Sequence, residues 1–438
     1  MPKDTSTPAA APPDSAVPAT AGAPSPLSST APVSLRRSLT VWHAVLYGLG
    51  VTIGAGIYVL VAETAGRAGM HAPIAFVVTA VLVGLTGASL AELGSRYPVA
   101  AGEAEYVRRG FRSRRMGTVI GLLVIAMTIV SSATISVGAA GYIRVFLASW
   151  PEALVIVGVV ISMGVVASCG VLQSVTLAGV MTLVEIGGLL MIVCAGIWLE
   201  PDVVTRLPEM VPVTPSVPVW TGIATASMLA VFAFVGFEGI VNIAEEMKEP
   251  ERDLPRAIFI TLAITTALYV LVTCVALVAL GPAQLAAAKA PLAAVFERLT
   301  GLSPRTMSAI AIVATLNGIV VNLIMASRVM YGLARSGTLP AVLGRLNRAT
   351  ATPVLATTVA VIGVLVLAIA FPIGQLADLS ARITLVVFGL VNVALVLVKR
   401  REAAPPCGIF ATPMWIPAAG AVSCAVFLVA DLVIAAGR

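Results

Sequence analysis

Apolar residues fall in long runs of about 20 positions, separated by short polar turns, from Thr40 to the carboxyl terminus. A helix of about 20 apolar residues crosses the hydrocarbon core of a bilayer, so the pattern predicts roughly eleven transmembrane helices. The first runs from Thr40 to Gly66 and the second from Ile74 to Leu93. Spans three to five are expected over Met116 to Val145, Glu152 to Cys169 and Ser174 to Leu199, and a sixth over Thr221 to Ala244. A seventh ends near Leu280, and the remaining four cover Met307 to Ala334, Val354 to Phe371, Leu379 to Val398 and Met414 to Ala436. Residues 281–304 are too short and too polar to span and are expected to lie as a helix over the outer mouth of the protein.

Two spans carry glycines at their centres. The first contains Ile53-Gly54-Ala55-Gly56-Ile57 and the sixth Gly236-Phe237-Glu238-Gly239. Glycine costs roughly 1 kcal/mol against alanine inside a helix, so both are predicted to be breaks. Unwound backbone at membrane depth is tolerated where it is buried in protein or lines a cavity. The amides of Gly54, Ala55 and Gly56 would then face an anionic group, aided by the dipole of the following half-helix. Close packing of helices through small residues is the competing explanation of the first break. Five spans separate the two breaks, and a repeat of odd span number inserts with opposite topology. The prediction is an all-α, five-plus-five inverted-repeat fold, with discontinuous first and sixth helices and the binding site between them. The repeats are placed at about 40–199 and 220–398, with an extra helix at 412–436.

Composition agrees: 59% of the 438 residues are hydrophobic and 11% charged, with a mean hydropathy of +1.02. Residues 1–35 differ, being rich in Pro, Ala, Ser and Thr, and are expected to form a disordered cytoplasmic tail. The net charge is +6, and basic residues gather in the loops holding Arg108 to Arg115, Lys248 to Arg256, Arg335 to Arg348 and Lys399 to Arg401. These all fall on one side, which predicts a plasma-membrane (cell inner membrane) protein with its amino terminus in the cytoplasm and its carboxyl terminus outside. Five cysteines form no paired framework, and His43 and His71 are too few and too far apart for a metal site. No basic stripe with interleaved aromatics points to nucleic acid. No HExxH, GxSxG or Walker loop points to an enzyme, and no carbonyl filter or charge ring to a channel.

The segments GLGVTIGAGIYVL, AELGSRYPVAAGEAEYV, FAFVGFEGIVNIAEEMKEPERDLPRAI and ASRVMYGLARSGTLP resemble the amino acid-polyamine-organocation superfamily, nearest the bacterial relatives of cationic amino acid transporters. The resemblance implies the LeuT-like five-plus-five transporter fold and alternating-access transport of amino acids driven by an ion gradient. It places the substrate carboxylate on the amides of Gly54, Ala55 and Gly56, beside Ile53. It places the amine on carbonyls of Thr52, Phe232 and Val235, next to Gly236. Phe232 matches an inner gate, and Glu238 an acidic position linked to gating and proton movement. Many relatives hold a lysine in the fifth span whose ammonium takes the place of a sodium ion; here Glu185 lies there.

Glu185, with apolar neighbours on both sides, has the setting of a proton carrier, against the alternative of a structural acid bonded to another helix. Glu238 has the same alternative, an acid hydrogen-bonded beside the unwound segment. Glu92 and Arg96, one turn apart, are expected to pair. Arg328 is expected to pair with an acid or to snorkel. Asn317 and Asn322 do not share a helix face. The expected function is a proton-coupled amino acid symporter embedded in lipid, with no cofactor beyond the coupling ion; sodium is the alternative ion. An exchanger of amino acids or amines and a non-transporting sensor stay open. Without a cluster of extra acids, small neutral or broad-range amino acids are favoured over strictly cationic ones.

Overall fold

The computed structural model describes residues 39–98, 102–169, 175–200, 202–213, 216–347, 350, 352–402 and 408–436. The tail expected over 1–35 lies outside the described residues. Helix dominates among them, joined by one isolated bridge between Leu39 and Met247. In chain order the α-helices are α1 Val41–Ala68, α2 Ala72–Arg96, α3 Gly102–Phe111, α4 Arg114–Ile143, α5 Glu152–Cys169, α6 Val175–Leu199 and α7 Asp202–Thr205. They continue with α8 Val217–Phe234, α9 Pro250–Leu280, α10 Pro282–Ala287, α11 Pro291–Thr300 and α12 Arg305–Arg335. The last three are α13 Val354–Ala370, α14 Ile373–Arg401 and α15 Trp415–Ala436.

Among the described residues, nine stretches are long and apolar enough to cross a membrane. One of them, Gly56–Arg96, holds the second half of α1, the turn at Gly69–His71 and all of α2. The 17-residue α13 is an apolar helix of its own. Each of the eleven expected spans therefore meets a helix, and the protein is a multi-pass membrane protein. Helix starts follow local chemistry. Ser113 and Ser216 accept hydrogen bonds from Met116 and Val219 at the heads of α4 and α8, and proline opens α8 to α11 where its missing amide costs nothing.

The sixth span is broken as expected. Its helix α8 stops at Phe234, Gly236 takes a φ of 125°, and the chain resumes as a tighter 3-10 helix over Phe237–Glu246. The first span is not. The chain is helical from Val41 through Gly54, Ala55 and Gly56 to Ala68. The reason is packing: a β-carbon on Gly56 would lie 2.5 Å from the Ala233 carbonyl oxygen and 2.6 Å from its α-carbon. One on Gly54 would lie 3.0 Å from the Ala314 carbonyl. The glycines let α1 touch the backbone of α8 and α12, the role small residues take at membrane helix interfaces.

Two further differences are local. Residues 281–304 form two short helices, α10 and α11, where one was expected. The arginine-rich stretch after α2 holds an unexpected helix, α3, which packs through Gly110 against the Ala394 backbone of α14. The span formed by α8 and the 3-10 helix is the most enclosed, whereas α5, α6 and α15 turn apolar faces outward. Those outward faces are where lipid tails would lie.

Candidate functional site

The site is the place where α1, α6, α8, α9 and α12 meet at the broken span. Ending α8 at Phe234 frees backbone groups inside the protein, where an unpaired amide or carbonyl costs a full desolvation penalty. Side chains take them up. The Gly236 amide donates to Glu238 Oε2 at 2.8 Å, and the Ala233 carbonyl accepts the Tyr269 hydroxyl at 2.8 Å. The same hydroxyl reaches the Thr52 carbonyl at 2.8 Å, so one tyrosine of α9 links both glycine-bearing spans. The Thr52 hydroxyl turns back onto the Gly48 carbonyl at 2.7 Å and is consumed within α1.

Glu185 of α6 is buried beside Gly54: the position of a β-carbon there is 3.2 and 3.3 Å from the two carboxylate oxygens. Its Oε1 accepts from Asn317 Nδ2 of α12 at 3.1 Å, while Oε2 is buried without a hydrogen-bond partner. No described base pairs with it. A second tyrosine fixes the helix that carries it: Tyr58 donates to the Glu185 backbone carbonyl at 2.6 Å, and Tyr142 of α4 donates to the Tyr58 carbonyl.

The structure thus brings together Thr52, Ile53, Gly54, Gly56, Phe232, Val235, Gly236 and Glu185 around one junction of helices, and Ala55 lies on the same backbone turn. Ile53 and Phe232 are buried there. Glu238 is the second residue of the 3-10 helix, buried and facing back to Gly236. The expectation of free amides at Gly54 to Gly56 is corrected, since in this conformation those residues are helical. Asn317, expected on a different face from Asn322, is the partner of Glu185, whereas Asn322 bonds only to Gly318 of its own helix. Arg328 is exposed and, among the described residues, makes no ion pair. The sequence reading missed the three tyrosines; the signal was a phenol inside each apolar run, which needs a partner when buried.

A second polar centre lies at the end of the molecule that carries α3. Glu92 is buried and accepts from Arg96 at 2.7 Å, from Lys399 at 2.8 Å and from the Thr412 amide and hydroxyl at 2.7 Å each. Arg96 also reaches Glu402 at 2.6 Å. The expected Glu92–Arg96 pair is present, embedded in a larger knot joining α2, α14 and the segment leading into α15. At the opposite end Arg67 of α1 grips Asp378 of α14 with two bonds of 2.7 and 2.9 Å and touches the Thr225 carbonyl of α8.

A family model described as amino acid permease matches residues 39–438. The branched-chain amino acid permease BcaP of Bacillus subtilis is 29% identical over 398 residues, covering 84% of this chain and 82% of that protein. The vacuolar cationic amino acid transporter 2 of Arabidopsis thaliana is 28% identical over 83% of this chain, which spans 60% of its length. An uncharacterized transporter of Mycobacterium tuberculosis is 33% identical over 70% of this chain and 68% of its own. In fold, two mutant forms of a manganese transporter from Eremococcus coleocola superpose over 93% of this chain with TM-scores of 0.59 and 0.60, at 15% and 14% identity.

Proposed function

The chain belongs to the amino acid permease family, and from that premise we propose that it carries amino acids across the plasma membrane by proton-coupled symport. The observation that carries the reading is the junction at the broken sixth span. There α8 ends against Gly56 of α1, and an unpaired carboxylate, Glu185, is held beside Gly54. In this reading α1 opens at Gly54, Ala55 and Gly56 when substrate arrives, and their amides take its carboxylate. Ile53 borders that turn. The carbonyls of Thr52, Phe232 and Val235 take the amine, with Gly236 supplying the bend. Tyr269, already bonded to Thr52 and Ala233, holds both sides of the pocket in register.

Glu185 is the coupling acid of the proposal. A carboxylate in an apolar setting is costly as a charge, so proton loss and gain there is coupled to what else enters the pocket. Asn317 orients it by its single hydrogen bond. Glu238 moves with the break, since its side chain caps the Gly236 amide. The halves 40–199 and 220–398 act as the two inverted repeats. The amino terminus lies in the cytoplasm and the carboxyl terminus outside, because the basic loops share one side. Among the described residues the acids at the junction are Glu185 and Glu238, with Glu103 of α3 interacting with Glu238 from outside the spans, and this small set favours small neutral or broad-range substrates over strictly cationic ones.

The test is uptake of labelled amino acids into proteoliposomes under an imposed proton or sodium gradient, with wild type beside Glu185→Gln. Proton-driven uptake in wild type, lost in the variant, is the expected result. Sodium-driven uptake would make Glu185 a cation ligand. Uptake that requires internal amino acid would make the protein an exchanger, and binding without flux a sensor.

A further inference from the structure

The arginine cluster at the polar end of α4 does more than bias topology. A cavity of about 440 Å3 is lined by Tyr97, Arg108, Arg109, Arg112, Ser113 and Arg114. Two of these arginines are committed: Glu105 holds Arg108 at 2.5 Å and Arg109 at 2.6 Å, and Arg109 lies over the Tyr97 ring, 4.4 Å from its centre. Tyr97 in turn donates to Glu402, which is paired with Arg96. Arg112 and Arg114 are exposed and, among the described residues, have no ion-pair partner. The chain turns sharply between them and α3. Arg112 adopts a φ of 52°, and the Ser113 amide donates to the Arg108 carbonyl at 3.2 Å, so the last turn of α3 and the head of α4 present their charges to one space.

Directly beyond that space α4 becomes apolar on its outer side. Val119 and Leu122 stand 44% and 43% exposed one and two turns past Arg115, on a helix that crosses the membrane. An anion bound at the arginines would therefore have hydrocarbon at its other side. A soluble anion uses only the first half of this arrangement; an anionic amphiphile uses both.

We propose that the cavity between α3 and α4 is a binding site for an anionic phospholipid, its headgroup phosphate held by Arg112 and Arg114 with Arg108 at the rim, and its acyl chains lying along Val119 and Leu122. Guanidinium groups suit a phosphate because they donate two parallel hydrogen bonds, and basic pockets at the ends of membrane helices hold such headgroups. The site is separate from the junction at the broken span, and transport as proposed above does not enter its logic.

The test uses the full chain in phosphatidylcholine nanodiscs containing a minor share of phosphatidylglycerol, with retained lipid read by native mass spectrometry. The variants are Arg112→Gln/Arg114→Gln, and Arg335→Gln/Arg345→Gln as a charge-matched control from another basic loop. Arg112→Lys/Arg114→Lys is a milder version should the first fail to fold. The expected result is retention of phosphatidylglycerol over phosphatidylcholine, reduced at least about tenfold in the first pair and unchanged in the control. The lysine pair should fall between. Equal loss in the control would overturn the proposal in favour of diffuse attraction. So would equal retention of phosphatidylcholine, or full displacement by glycerol 3-phosphate, which would mark the cavity as a soluble-anion site.

Discussion

At the scale of single residues, Gly56 and Glu103 make opposite demands. Gly56 is required by a contact: a β-carbon there lands 2.5 to 2.9 Å from three backbone atoms of Ala233. Backbone cannot rotate out of the way as a side chain can, so Gly56→Ala is expected to cost about 1–3 kcal/mol, read as a lower unfolding temperature in detergent. Glu103, on α3 outside the spans, is buried with Oε1 unpartnered. Burial pushes its carboxyl up from 4.5 to about 7, with only a backbone hydrogen bond opposing. Tyr106 and Glu238 are the titratable groups that interact with it. At low pH the folded and unfolded chains both hold the proton and the residue is neutral to stability. As pH rises from 4.5 to about 7 the unfolded chain releases its proton first, so stability falls across that window and the cost is complete above it. Glu103→Gln should therefore gain on wild type between pH 5 and pH 8 by roughly 3 kcal/mol, measured as the difference in unfolding at the two pH values. A gap that does not change with pH would contradict this.

At the scale of elements, the knot at Glu92 decides how α15 is attached. Most of α15 faces outward, and the segment before it is held at Thr412, whose amide and hydroxyl both reach Glu92. Removing the hydroxyl alone, in Thr412→Val, should cost about 1 kcal/mol. Glu92→Ala leaves Lys399 without its acid and Arg96 with Glu402 alone, and should cost roughly 3–5 kcal/mol. Thermal unfolding followed by size exclusion separates the two, and equal effects would mean that the acid is not the anchor. Elements of this kind were only partly legible in the sequence. The spans were legible because twenty apolar residues have one use in a polytopic chain, and the Glu92–Arg96 pair because it lies one turn apart. The break at Gly236 was legible for the same reason as the one expected at Gly54 to Gly56, which is helical in this conformation: glycine lowers helix preference in both, and the neighbours differ. Ala233 fills the space beside Gly56, whereas Gly236 takes a φ of 125° that other residues rarely adopt. Asn317 as the partner of Glu185 was out of reach, because 132 positions separate them in the chain.

At the scale of the whole molecule, α14 is pinned at both ends, to α1 through Arg67 and Asp378 and to α2 through Glu92 and Lys399. The first pair is partly exposed, so Asp378→Asn should lower stability by no more than about 1 kcal/mol. Raising salt should weaken wild type toward the variant and leave the variant nearly unmoved, a comparison of two unfolding curves. One small feature reaches further. The Leu39 amide donates to the Glu246 carbonyl at 2.9 Å, and the Lys248 amide returns to the Leu39 carbonyl at 3.0 Å, so the entry to α1 is stitched to the far end of the broken span. A stitch at that place works as a handle. A pull on the chain just before α1 is passed to the first and sixth spans together for as long as those two bonds hold.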